Sequence, residues 1–168
     1  MGLSALGIFH TIIGIAALAG AIAGFIRYGK ISLGVTSGKL YFYGTMVTSL
    51  TSLGISKHGG FNPGHIFSIF IIGLIGVAYF LHLKKKGNTK ARYFENFLLS
   101  FSFFLSLVPT VNETFTRVPV GHPLATGIND PIIGKTLLIL FVLFIAGSVL
   151  QFIKQKNSNK STSFYVEP

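Results

Sequence analysis

His10, His65, Glu113 and His122 are the side chains of this chain best suited to chemistry, three imidazoles and one carboxylate in an otherwise apolar sequence. Mixed nitrogen and oxygen ligands of this kind suit a divalent zinc, copper or iron ion. Two facing histidines alone, His10 and His65, would instead suit a single b-type haem. Thr45, Ser49, Asn112 and Arg117 extend the set with hydroxyls, an amide and a guanidinium, enough to bind a small ligand by hydrogen bonds. The chain has no cysteine, so thiolate catalysis, thiolate metal sites and disulfides are excluded. No GxSxG or HExxH motif supports a hydrolase, and no phosphate-cradling glycine loop supports a nucleotide-driven pump.

These residues need elements to hold them, and the composition says which kind. Of 168 residues, 50% are apolar and 11% charged, too few charges to clothe a soluble globule. The lipid bilayer is the natural partner. The net charge of +10 does not point to nucleic acid, because the basic residues sit in short runs between apolar segments. Apolar runs fall near residues 3–26, 40–56, 63–83, 94–111 and 132–153. The first, third and fifth can cross a hydrocarbon core of about 30 Å at a rise of about 1.5 Å per residue. The second and fourth are shorter. The sequence thus predicts an all-α, polytopic membrane helix bundle of five transmembrane helices, or four if one short segment is re-entrant. The bundle should cover residues 1–153, with a structured outer loop at 109–131 and a disordered cytoplasmic tail at 154–168.

Of the 14 basic residues, only Lys57, Arg117 and Lys135 fall outside the segments after the first, third and fifth runs. Positive-inside bias therefore places the amino terminus outside, the carboxy terminus in the cytoplasm and the chain in the inner membrane as a multi-pass protein. The opening "MGLSALGIFH" lacks a basic n-region and a small-residue cleavage site, so it reads as an anchored helix. In this topology His10, His58, His65, His122 and Glu113 lie at the outer level, and His82 lies toward the cytoplasm.

Helical spacing orients several of these side chains. Gly7, His10, Gly14, Ala17, Ala21 and Gly24 form a small-residue stripe that lets a neighbouring backbone approach, so His10 should face the bundle. Asn62 and Pro63 suit a helix start just before His65. Thr45, Thr48, Ser49, Ser52 and Ser56 make a hydroxyl stripe on the second run that could line a cavity shared by His10 and His65. Val108-Pro109 should end the fourth helix, leaving Glu113 to fold back over the bundle with Arg117, four residues on, holding it. Plainer roles stand beside these. His10 can simply bond a hydroxyl of the second helix, His65 can belong to a helix cap, His122 can be solvated, and Glu113 with Arg117 can be a surface ion pair.

"GKLYFYGTMVTSLTSL", "FNPGH" and above all "VPTVNETFTRVPVGHPLA" resemble segments of an uncharacterised family of small bacterial predicted multi-spanning membrane proteins. The resemblance implies membrane placement and draws attention to the loop; it carries no assigned reaction. Related families place a His-Arg pair just before the second span, where this chain has "TSGKLYF". Three function classes follow: ligand binding at the outer His/Glu site, including metal- or haem-linked redox; binding or transport of a small solute or lipid; and a non-catalytic assembly factor with a homo-oligomeric or membrane-protein partner.

Overall fold

The computed structural model describes residues 4–55, 60, 62–85 and 87–164, with side chains described to residue 159. His58, with Ser56 and Lys57, lies outside the described residues. All regular secondary structure among the described residues is helical: α1 (Ala5–Tyr28), α2 (Thr36–Ser52), α3 (Pro63–Lys84), α4 (Thr89–Arg117) and α5 (Pro131–Phe164). Four of these, α1, α3, α4 and α5, are long and apolar enough to cross a membrane. Their surfaces expose Ile12, Ile15, Ile26, Phe70, Phe80, Leu138 and Phe152, which only a lipid environment solvates without cost. The chain is a multi-pass membrane protein. The 17 residues of α2 span about 26 Å, close to the hydrocarbon thickness.

Two compact units divide the chain, Met1–Ser102 and Phe103–Pro168, and α4 runs through the boundary. In the first unit, α1 begins at Ser4, whose hydroxyl accepts from the Gly7 N–H at 3.1 Å, and ends at Gly29, whose φ of 68° closes the last turn. Of the predicted small-residue stripe Gly7, Ala17, Ala21 and Gly24 are buried and His10 and Gly14 half-buried, and Gly20 beside it is buried as well. This face allows α2 to approach so closely that a methyl added at Gly44 would sit 2.8 Å from the Ala17 Cβ. At the start of α2, a methyl on Gly38 would overlap the Ser32 carbonyl outright. Neighbouring helices run antiparallel, as paired contacts at both ends show. His10 meets Thr51 while Gly20 faces Ser37, and Ser52 meets Ser68 while Phe42 stacks on Tyr79 at 4.8 Å. His82 likewise meets Glu95 while Phe70 meets Phe101.

The second unit differs from the sequence expectation in one respect. The backbone stays helical through Pro109 to Arg117 rather than ending at Val108. Proline removes one donor, the one that would reach the Leu105 carbonyl, and a helix in lipid tolerates a single such loss; in the next position Thr110 adds a hydroxyl donor to the Ser106 carbonyl at 2.8 Å. The continuing turns also bury Val111 against Ala125 and Ile133, with Phe115, Leu137 and Leu140 around them. That cluster pins the connecting loop, whose Ala125 N–H donates to the Phe115 carbonyl at 2.8 Å. Asp130 then caps α5 by accepting from the Ile132 N–H at 3.1 Å and the Thr126 N–H at 3.0 Å. Helix α5 continues to Phe164, across most of the polar segment expected from composition to be disordered.

Candidate functional site

The polar residues buried as a whole lie in the first unit, while the second buries the single polar atoms Asn112 Oδ1 and Ser148 Oγ. Among the described residues the buried polar side chains are Thr45, Ser49, His65, Ser68, Glu95, Asn96, Ser100 and Ser102, and all eight precede the boundary after Ser102. Tyr41, fully buried, joins them through a 2.7 Å hydrogen bond between its phenol and the Ser102 hydroxyl. Since Ser102 donates to the Leu99 carbonyl at 2.9 Å, Tyr41 is the donor of that pair.

At the end of the unit opposite the basic turns, His10 meets Thr51 in the last turn of α2, a hydroxyl outside the predicted stripe, whereas His65 reaches the chain beyond the end of α2 at Ile55. His10 Nδ1 lies 3.1 Å from the Thr51 hydroxyl. His65 closes a capping box: the Asn62 N–H donates to its Nδ1 at 3.3 Å, and Asn62 Oδ1 accepts from the Gly64 and His65 amides. That leaves the His65 Nε2 proton to donate to the Ile55 carbonyl, 3.4 Å away. Ser52 and Ser68 pair side chain to side chain between α2 and α3; one hydroxyl donates across the pair while the other donates to a carbonyl of its own helix. Thr45 and Ser49 are buried on the same face of α2.

Asn112, Glu113, Arg117 and His122 belong to the second unit. Glu113 does not fold back from a helix end. It lies within α4, half exposed, with its carboxylate 2.6 Å from the Arg117 guanidinium. His122 is exposed on the loop. The Asn112 Oδ1 is buried without a hydrogen-bond donor among the described residues. No group of three or more His, Asp or Glu side chains that could hold a metal ion comes together among the described residues. The set His10, His65, Glu113 and His122 therefore finds no support as a metal centre, and His65 has its ring engaged in a helix cap.

The most chemically capable cluster is at the basic end, between the last turn of α3 and the second turn of α4. Glu95 is 3% exposed, and both of its oxygens are engaged. His82 Nδ1 lies 2.8 Å from Oε1, and Arg92 donates to Oε2 at 2.9 Å. The same Arg92 nitrogen is 3.3 Å from His82 Nδ1. A short connection positions the cluster: Asn88 caps α4 through the Ala91 N–H at 3.0 Å, which sets α4 beside the end of α3. Arg92, three residues earlier on the same helix, then reaches Glu95. Glu95 goes unremarked in the sequence because it sits at the start of an apolar run where a lone charge reads as the membrane boundary. The signal available was the combination of Arg92 three residues before it and His82 one short hairpin away.

No family model, no curated protein and no solved structure matches the chain.

Proposed function

We propose that this is a five-span protein of the cytoplasmic membrane, amino terminus outside, whose first unit moves protons between the two membrane faces along its polar interior. The observation that carries this reading is that all eight polar residues buried as a whole, among the described residues, fall in that unit, in a row reaching toward both ends. Polar and ionisable side chains inside a bilayer are costly and mark ion or proton pathways by default. From Glu95 the row continues on α4 to Ser102, seven residues and about 10 Å further along. It passes to Tyr41 on α2, climbs one turn at a time through Thr45, Ser49 and Ser52, and reaches Ser68 and His65 on α3. Hydroxyls, imidazole and carboxylate each accept and release protons or reorient to pass them, and buried water bridges gaps between such groups. This is the transport class of the sequence reading, with the proton as solute.

The orientation rests on the basic residues. Arg27, Lys39, Lys84 and Lys90 fall at the chain ends of α1 to α4 that share one face of the unit, which positive-inside bias assigns to the cytoplasm.

Purified protein in liposomes containing a pH-sensitive dye tests the reading, with a potassium diffusion potential set by valinomycin. The parent should dissipate the imposed driving force faster than empty liposomes, and Thr45→Val with Ser49→Ala should remove most of that excess. A parent trace identical to empty liposomes would refute proton movement. Undiminished flux in the double variant would reduce these hydroxyls to interhelical joints.

A further inference from the structure

We infer that His82 is a two-nitrogen proton relay at the basic end of the first unit, with Glu95 as its proton acceptor and Arg92 as the group that holds Glu95 in place. The inference rests on the proton-moving reading and names the residues that perform its cytoplasmic step.

The geometry constrains where protons can be. A nitrogen and a carboxylate oxygen 2.8 Å apart must share one proton between them, since two lone pairs at that distance repel. Arg92 supplies only donors, and it already occupies the other carboxylate oxygen at 2.9 Å. A guanidinium on Oε2 favours the ionised form of Glu95, which assigns the resting proton to His82 Nδ1, donating to Oε1. The ring's second nitrogen, Nε2, is then an acceptor on the side of the ring away from Glu95, in a side chain 18% exposed. It is the atom placed to take a proton arriving from the basic face.

The transfer balances without any further reactant. A proton binds to Nε2, giving an imidazolium beside the ionised Glu95. The Nδ1 proton then moves to Glu95 Oε1, leaving neutral His82 protonated on Nε2 and a neutral Glu95. The proton count has risen by one, and it now sits on a buried residue at the head of the polar row. In the product the Nδ1 lone pair accepts the proton now on Glu95 Oε1, and the guanidinium nitrogen 3.3 Å away no longer faces an N–H. Arg92 keeps its acceptor on Glu95 Oε2 before and after the transfer. The charged groups around the ring are Arg92 and Glu95 on α4, both in contact with it, the exposed Lys84 and Lys85 beyond it on its own segment, and the exposed Lys39 on α2 and Lys90 on α4. Anionic groups other than Glu95 are absent from that end among the described residues, so Glu95 is the acceptor.

Two measurements separate this relay from the reading it rests on. Nitrogen NMR of the full chain labelled with ¹⁵N-histidine, in lipid nanodiscs, should show the His82 ring protonated on Nδ1 at neutral pH. In Glu95→Gln the amide oxygen must face Arg92, which has no lone pair to accept an amide proton. The amide NH₂ then faces Nδ1, and the ring should switch to the Nε2–H form. In the dye-loaded liposomes, His82→Gln should lower flux by roughly tenfold or more, while Lys84→Gln, exposed at the same end, should leave it unchanged. A parent ring protonated on Nε2, or His82→Gln flux equal to the parent's, overturns the relay. No flux in the parent, with the tautomer and its switch as predicted, overturns the proton-moving reading and leaves the protonation assignment of the cluster intact.

Discussion

Glu95 has both carboxylate oxygens engaged and almost no contact with solvent, so its removal acts on more than one bond. Glu95→Ala would leave the Arg92 guanidinium and the His82 ring without their shared acceptor. Breaking a buried pair in this way costs about 3–5 kcal/mol, and since Arg92 is partly exposed the lower end applies. A fall in thermal stability of that order in nanodiscs is expected, and Glu95→Gln, which keeps an oxygen for Arg92, should lose visibly less. Equal losses would mean that packing rather than the acceptor matters. By contrast, Glu113 and Arg117 form an open surface pair, and either charge should be removable at a cost of no more than about 1 kcal/mol. Asp130 gives a pH effect of defined sign. The Thr126 amide, followed by that of Ile132, holds its carboxyl below the usual aspartate value. Its contribution to the α5 cap is therefore fully present above the ordinary aspartate pKa and is lost as pH falls through the lowered folded-state value. Amide exchange at Thr126 and Ile132, corrected for the intrinsic pH dependence, should rise across that acidic window in the parent. Asp130→Asn should show no such step.

At the scale of elements, the sequence states most plainly what periodicity controls. The Gly7 to Gly24 stripe predicts the buried face of α1, and the hydroxyls of α2 predict its polar side, because both follow from helical spacing alone. Pro109 misleads for a physical reason: a proline reads as a helix end in water, whereas lipid leaves freed carbonyls no solvent partner and favours continuing the helix. The Glu95 cluster depends on which helix ends meet, and spacing within one segment does not report that. His10 meets the last turn of α2, but the ring of His65 serves the start of α3, a role its position after Asn62 and Pro63 already suggested. The close approach of α2 to the preceding turn gives an element-level test. Gly38→Ala would drive a methyl into the Ser32 carbonyl, a backbone atom that cannot swing aside. A destabilisation of about 1–3 kcal/mol is expected from such overpacking. Gly73→Ala, which meets nothing within 4 Å, should cost nothing measurable.

The whole molecule joins a polar-cored unit to a second unit whose buried described residues are apolar. Its orientation follows from charge and not from fold. Reporter fusions after Lys90 and after Lys156 should read cytoplasmic, and one placed between Thr114 and Thr126 should read external. A cytoplasmic reading for the last would remove one of the five proposed spans or reverse the proposed orientation. Proton movement itself is tested most directly by the valinomycin-driven flux through the reconstituted parent protein beside its Thr45→Val, Ser49→Ala variant. The polar row predicts a parent rate well above that of empty liposomes and a variant rate close to theirs; a parent indistinguishable from empty liposomes would contradict it.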